Sequence, residues 1–168
     1  GVQDLADSPA ISGDVDYAYF GQRSDGDGDV NGDGINDLLV AAPYLTYGAV
    51  SSGGGAYLFA GPVTSSTSAS GGVLYRGESS WSYLGETIDL AGDLNGDGYD
   101  DAGAGGSALS GSTGRVWVFH GYVDADGDGY GVGGDGTDQD CDDADSSINP
   151  GAAEVVGDGV DQDCSGGE

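Results

Sequence analysis

The sequence predicts an all-β protein in which two copies of one unit are followed by a loop-rich C-terminal segment. Short apolar runs at residues 37–42, 55–60 and 114–119 are rich in β-branched and aromatic residues and are bounded by Gly, Ser or Pro, which is typical of strands. Helical periodicity of useful length is absent. The chain also resembles itself at an offset of 64 residues, which indicates a repeat architecture.

The two copies match over more than one motif. Tyr19-Phe20-Gly21 aligns with Tyr83-Leu84-Gly85, and residues 56–61 align with residues 116–121 at an offset of 60. The alternation of side chains along a strand then predicts which residues are buried. The expected core positions are Leu38, Val40, Tyr57 and Phe59 in the first copy, with Val116, Trp117 and Val118 sharing the two faces of the equivalent strand.

Each copy contains a nine-residue acidic loop, at residues 29–37 (the first loop) and 93–101 (the second loop). Short side chains with oxygen atoms at alternate positions can converge on one hard cation, and Gly at the sixth position permits the sharp bend. Calcium is the expected ion. The predicted ligands are Asp29, Asn31, Asp33, Ile35 by its carbonyl, and Asp37, followed in the second loop by Asp93, Asn95, Asp97, Tyr99 by its carbonyl, and Asp101.

The register of the first loop has an alternative, because Asp25 and Asp27 could move its start by four residues. The second copy has Asp89 and Ala91 at those positions. An alanine side chain has no ligand oxygen, and the register that begins at Asp29 is therefore favoured.

The composition is strongly acidic. Thirty Asp and Glu oppose three Arg and no Lys, which gives a net charge of −27. Such a chain repels itself unless cations neutralise it, so divalent ions are expected partners. The same charge disfavours nucleic acid and anionic membrane surfaces as partners.

The compartment is predicted to be extracellular, either secreted or at the cell surface. Low-affinity calcium loops suit the calcium concentration outside cells. No apolar run reaches the ~18 residues that a membrane span needs. The sequence contains no Met, and we interpret it as a mature or processed fragment.

The last part of the chain contains further candidate sites for calcium, which bring the expected total to three or four. A third loop begins at Asp124 and has Gly129 at its sixth position. Its ninth position is Val132, so the closing carboxylate must come from Asp135 or from the cluster at residues 138–143. A fourth register runs from Asp143 to Glu154, with Ile148 where Gly is wanted. The predicted ligands of this segment are Asp124, Asp126, Asp128, Tyr130, Asp135, Asp140, Asp142, Asp143, Asp145, Glu154, Asp161 and Asp163.

Two cysteines, Cys141 and Cys164, follow the two Asp-Gln-Asp turns of this segment. In an exported chain we expect them to form one disulfide, worth about 3 kcal/mol on the chain-entropy estimate. A pair of thiolate metal ligands is the alternative, although two Cys without neighbouring His make an incomplete zinc site.

Residues Phe20-Gly21, 28–34 and Ala41-Ala42-Pro43 resemble the FG-GAP repeat of integrin α-subunit propellers and of many secreted bacterial proteins. The resemblance covers roughly residues 1 to 121. It implies four-stranded propeller blades with the calcium loops in strand-to-strand hairpins. The second copy departs from the pattern, with Leu84-Gly85 for Phe-Gly and Gly105-Gly106-Ser107 for Gly-Ala-Pro.

Residues 140–164 resemble an Asp/Cys-rich metal-binding repeat of secreted bacterial surface proteins, a family named after a copper-binding member. Another Cys usual near Val155 and Val156 is missing here. Copper favours His, Met or thiolate ligands, and this chain has one His, at position 120, and no Met. We therefore interpret the repeat as calcium-binding.

The predicted organisation is a first blade at 1–61, a Ser/Thr/Gly-rich linker at 62–72, a second blade at 73–122 and a disulfide-stapled calcium-binding module at 123–168. The linker is expected to be a solvated loop, with O-glycosylation as the alternative. Two blades cannot close a ring and leave open sheet edges. Further blades, the C-terminal segment or neighbouring copies of the chain are the candidates to cover them.

No catalytic constellation is visible, and we expect no enzyme. His120 follows a strand without a patterned nucleophile, and the dense carboxylate clusters are arranged as cation cages. Trp81 and Trp117 are expected to pack within or between blades, although an exposed Trp81 could bind sugar or a partner. The predicted function is a calcium-stabilised filament or surface subunit that self-associates, and the alternatives are an adhesin for a protein or glycan and a fragment of a larger propeller enzyme.

Overall fold

The computed structural model describes residues 8–107, 113–126, 130–131 and 140–166. The prediction of an all-β protein is confirmed, and no helix in these ranges is long and apolar enough to cross a membrane. The elements are β1 (Ile11–Ser12), β2 (Ser24–Asp25), β3 (Leu38–Ala41), β4 (Gly55–Phe59), β5 (Thr67–Ser68), a 3-10 helix (Ala69–Gly71), β6 (Val73–Arg76), β7 (Thr87–Gly92), β8 (Asp101–Gly106) and β9 (Arg115–Phe119).

The first sheet is antiparallel and has the strand order β2-β3-β4-β6. Its last strand comes from residues that the sequence assigned to the second blade, because Val73 pairs with Leu58 and Arg76 pairs with Gly55. The predicted linker at 62–72 contains β5 and the 3-10 helix, and β5 pairs in parallel with β1. This connection is therefore partly ordered by pairing with the start of the chain.

The second sheet is antiparallel with the order β7-β8-β9. β8 and β9 stand at the offsets of 64 and 60 from β3 and β4 that the repeat predicts. Among the described residues no strand lies beside β9 in the place that β6 takes beside β4. One edge of β9 is consequently open in this part of the chain.

The two sheets pack face to face around one apolar cluster. Leu39 and Leu58 of the first sheet meet Leu90 and Ala104 of the second. Leu39 is fully buried, and burying a Leu side chain contributes about 1.5–3 kcal/mol. These contacts hold the acidic loops of the two copies side by side.

The strand β9 divides its side chains between two environments, as predicted. Trp117 packs against the cluster between the sheets, whereas Val116 and Val118 are 68% and 46% exposed on the opposite face. The corresponding residues of β4, Ala56 and Leu58, are buried. Equivalent positions thus differ in burial because, within the described ranges, the first sheet has a neighbour on that side and the second has none.

A second apolar cluster covers the outer face of the first sheet. Val40, Tyr57 and Phe59 are buried in it, and Leu38 packs against it, which confirms the predicted core positions. Phe20 closes this cluster with its ring edge-on to Tyr57 at 5.3 Å. The Phe-Gly motif of the first copy is therefore a packing element.

Candidate metal-binding sites

The first loop wraps its backbone N–H groups around the carboxylate of Asp29. Asp33 N donates to Asp29 Oδ1 at 3.1 Å, and Gly34 N donates to Asp29 Oδ2 at 2.8 Å. Asn31 Oδ1 accepts from Asp33 N at 3.0 Å. Gly34 has φ +86°, in the left-handed region that glycine tolerates best, so the predicted role of the sixth-position Gly in the bend agrees with the backbone.

The second loop repeats this arrangement. Asp97 N and Gly98 N donate to the two oxygens of Asp93 at 3.2 and 2.9 Å, and Asn95 Oδ1 accepts from Asp97 N at 3.0 Å. The N–H of Tyr99, and next the side chain of Asn95, hold the pKa of Asp97 below its ordinary value. Two loops of similar sequence thus fold into the same local structure.

The ninth residue of each loop is a buried carboxylate that joins the loop to the strand hairpin. Asp37 is 2% exposed and accepts from Val30 N and Gly61 N, both at 2.9 Å. Asp101, at 0%, accepts from Leu94 N and Gly121 N at 2.8 and 3.0 Å. Burial raises the pKa of Asp37 although the backbone donors oppose the rise.

Neither nine-residue loop brings three of its carboxylates within 4.8 Å of one another, and such groups occur elsewhere in the described ranges. Groups of three His, Cys, Asp or Glu ligand atoms within 4.8 Å of one another occur there at two places, and both lie in the C-terminal segment. One group is Glu154, Asp161 and Asp163, which we call the C-terminal cluster. The other consists of Asp140 with Cys141 and Cys164, whose sulfur atoms are joined as a disulfide.

The C-terminal cluster contains two buried oxygens without a hydrogen-bond partner, Glu154 Oε1 and Asp161 Oδ1. The other oxygens are used, because Glu154 Oε2 accepts from Gln162 N at 3.0 Å and Asp161 Oδ2 accepts from Gly166 N at 2.9 Å. Hydrogen bonds from Ser165, first from its side chain and then from its N–H, lower the pKa of Asp163. The cluster therefore places three carboxylates close enough together to share one cation.

The predicted disulfide between Cys141 and Cys164 is present, which removes the thiolate alternative. Asp140, next to it, is 4% exposed; its Oδ1 accepts from Asp142 N at 2.8 Å, and its Oδ2 is buried without a hydrogen-bond partner. Asp143 Oδ1 accepts from Ala125 N at 2.9 Å. Asp143 is thus brought to the start of the third loop.

The predicted ligands of the fourth register, which runs from Asp143 to Glu154, do not come together at one place. Glu154 lies with Asp161 and Asp163, whereas Asp145 bonds to Ser147 within its own turn at 2.7 Å. Hydrogen bonds from Ser147 lower the pKa of Asp145. Asp124, Asp126 and Tyr130 lie in the described parts of the third loop, and Asp128 and Asp135 lie outside the described residues.

Sequence reasoning missed a row of aromatic side chains at the surface, which we call the aromatic row. Neighbouring ring centroids are 5.0 Å apart for Tyr19 and Tyr44, 5.4 Å for Tyr44 and Tyr83, and 6.3 Å for Tyr83 and Trp81. Trp81 is 56% exposed, so it does not pack in the core as Trp117 does. The repeat already carried a signal, because Tyr17-Ala18-Tyr19 aligns with Trp81-Ser82-Tyr83 at the offset of 64.

Comparisons with known proteins agree with these sites. Residues 20–59 match the family described as FG-GAP repeat. The predicted resemblance of the first copy to this repeat is therefore confirmed. The FG-GAP match contains the whole first loop. Residues 140–168 match a second family, described as "Putative metal-binding motif", and these residues include the C-terminal cluster.

Two relatives are longer proteins. Integrin alpha-3 of Cricetulus griseus and integrin alpha-3 of Mus musculus are each 34% identical to this chain over 117 residues. The aligned part covers 70% of this chain and 11% of each integrin. The chain thus spans about a tenth of the length of these relatives.

Proposed function

We propose that the chain is a calcium-binding structural module of an extracellular or cell-surface assembly, without a catalytic role. The observation that carries this proposal is the pair of buried, unpartnered oxygens in the C-terminal cluster. Burying a carboxylate oxygen without a partner is unfavourable. A cation held by Glu154 and Asp161 would remove that penalty and reduce the repulsion within a chain of charge −27.

The donor chemistry favours calcium among the common ions. All candidate ligand atoms are oxygens, which suit hard cations, and the sulfurs of Cys141 and Cys164 are oxidised. Magnesium prefers to keep several waters in a strict octahedron, whereas calcium accepts many carboxylates in irregular geometry. The nine-residue loops offer the same oxygen donors around a glycine bend.

Thermal unfolding with calcium, with magnesium and with chelator tests the proposal. An ion that binds only the folded state stabilises it by mass action, and calcium is therefore expected to raise the Tm above the values in magnesium and in chelator. Glu154→Gln should reduce this rise. Asp158→Asn is the matched control, because Asp158 lies in the same segment but bonds to Val160 N and the Gln162 side chain instead of joining the cluster. An unchanged Tm on chelation would contradict the proposal.

The form of assembly that we propose is a filament or surface array built through the second sheet. The open edge of β9, with Val116 and Val118 exposed beside it, supports strand addition by another copy. A contact that does not close on itself generates a fibre. Negative-stain microscopy in calcium should reveal concentration-dependent fibres, which Val116→Lys abolishes and which Val156→Lys, at an exposed site of the C-terminal segment, leaves intact. Dispersed particles at every concentration would contradict assembly.

A calcium-dependent adhesin that binds a protein or glycan is the second candidate, and the aromatic row favours it. Exposed Tyr and Trp side chains are the residues that most often dominate binding energy at interfaces. Trp81, Tyr83, Tyr17 and Tyr19 are also held at positive φ, a costly backbone for bulky residues that is enriched at functional sites. A glycan array probed with the chain and with Trp81→Ala would test this function, since loss of a specific signal in the variant supports it.

A further inference from the structure

The C-terminal cluster lies inside the chain loop that the disulfide closes. Cys141 and Cys164 are 23 positions apart in the sequence, and the three carboxylates of the cluster all lie between them. None of the described residues in 140–166 belongs to either apolar cluster of the molecule. The disulfide therefore takes the place that an apolar core has in the two sheets.

The disulfide also contacts the backbone that places the cluster. Cys141 Sγ lies 3.6 Å from the carbonyl oxygen of Asp161, and Cys141 N donates to Cys164 Sγ at 3.2 Å. Asp163 directly precedes Cys164 in the sequence. Opening the bond would therefore release the backbone that places two of the three carboxylates.

Asp140 gives a reason why this bond can be reduced. Its side chain is 4% exposed, its Oδ2 is buried without a hydrogen-bond partner, and one of its carboxylate oxygens lies within 4.8 Å of both sulfur atoms. A disulfide has no hydrogen to donate, whereas a thiol is a weak donor. Reduction thus offers the buried carboxylate a partner and lowers the penalty of burying it. Cys141 is exposed, so a reductant can reach the bond.

We propose that the Cys141–Cys164 bond is a redox switch for the C-terminal cluster, an inference that rests on the proposed function. A dithiol reductant converts the bond into two thiols and is itself oxidised to a disulfide, so two electrons and two protons pass to the cysteines. The opened loop must then lose more conformational entropy to gather the three carboxylates, which weakens calcium binding. Linkage requires calcium to favour the disulfide by the same factor.

Equilibration of the full chain with reduced and oxidised dithiothreitol, followed by thiol trapping, measures the ratio at which half of the molecules are reduced. Millimolar calcium should raise the ratio of reduced to oxidised reagent at this midpoint by about tenfold relative to chelator. Glu154→Gln should remove most of this shift while the disulfide still forms. Asp158→Asn should keep the shift, because Asp158 lies in the same closed loop but outside the cluster.

A further variant tests the part that Asp140 plays. Asp140→Asn keeps the oxygen that accepts from Asp142 N but replaces the carboxylate with a neutral amide, which is a weaker acceptor for a thiol. In chelator, this variant should need a ratio of reduced to oxidised reagent that is about threefold higher or more at the midpoint. An unchanged midpoint would overturn the role of Asp140 in making the bond reducible.

Native mass spectrometry of the same samples separates the switch from calcium binding itself. The oxidised chain should keep the ion that Glu154→Gln removes, and the reduced chain should lose it at the same free calcium concentration. If both forms keep this ion and calcium leaves the midpoint unchanged, the switch is overturned and the proposed function stands. If the oxidised chain holds no such ion, the proposed function fails and the switch fails with it.

Discussion

The two copies contain loops of nearly the same sequence and fold, yet their surroundings differ. Val30 in the first loop is 2% exposed, whereas Leu94 at the equivalent position of the second is 58% exposed. Leu58 in the first sheet is 9% exposed, and its counterpart Val118 is 46% exposed. The first copy has a neighbouring copy on this side, and the second has none among the described residues. The burial of equivalent residues therefore depends on whether another sheet packs against them and not on residue type.

The largest expected effect compares equivalent residues of β4 and β9. Leu58→Ala should lower the free energy of unfolding by about 2–5 kcal/mol, because it leaves a cavity between the sheets. Val118→Ala should change it by no more than about 0.5 kcal/mol, since that side chain faces solvent. Urea unfolding of both variants measures the difference, and equal losses would show that the outer face of the second sheet is covered.

A smaller effect compares equivalent glycines of the two loops. Gly96→Ala should lower the free energy of unfolding by about 1–2 kcal/mol, because the φ of Gly96 is +83°. The added Cβ would meet no atom within 4 Å, so no clash adds to this loss. Gly32→Ala adds a clash between the new Cβ and the ring of Tyr99, and it should lower the free energy of unfolding by about 1–3 kcal/mol more than Gly96→Ala does. Denaturant unfolding in calcium gives both values, and identical values would rule out the packing of one loop on the other.

The C-terminal segment extends the comparison to a region that relies on ions more than on apolar contacts. None of its described residues belongs to either apolar cluster, and Val155 and Val156 are exposed. We therefore expect chelation to increase hydrogen exchange at residues 140–166 before it does so in the two sheets. Simultaneous loss of protection in both regions would contradict this order.

Much of the fold could be predicted because its signals are local. The strands β3, β4 and β9, their inward residues and the glycine bends of the loops follow from alternation and spacing over a few residues. The pairing of β6 with β4 could not be predicted in this way, because Val73–Arg76 has the pattern of a strand but no signal for its partner. Pairing between distant strands is decided by the packing of whole sheets.

For the C-terminal cluster, the sequence predicted which residues are ligands but not how they are grouped in space. The spacing placed Glu154 in a register that begins at Asp143, whereas the structure groups it with Asp161 and Asp163. That grouping depends on the path of a chain closed by the Cys141–Cys164 disulfide, which spacing alone does not reveal. The aromatic row depends likewise on positive φ at Tyr19 and Trp81, a conformation that their residue types disfavour.

Native mass spectrometry of the chain in millimolar calcium tests most directly the claim that divalent ions hold this acidic chain together. We expect one calcium ion for each nine-residue loop and at least one more that Glu154→Gln removes. A spectrum of the folded chain without bound calcium would contradict it.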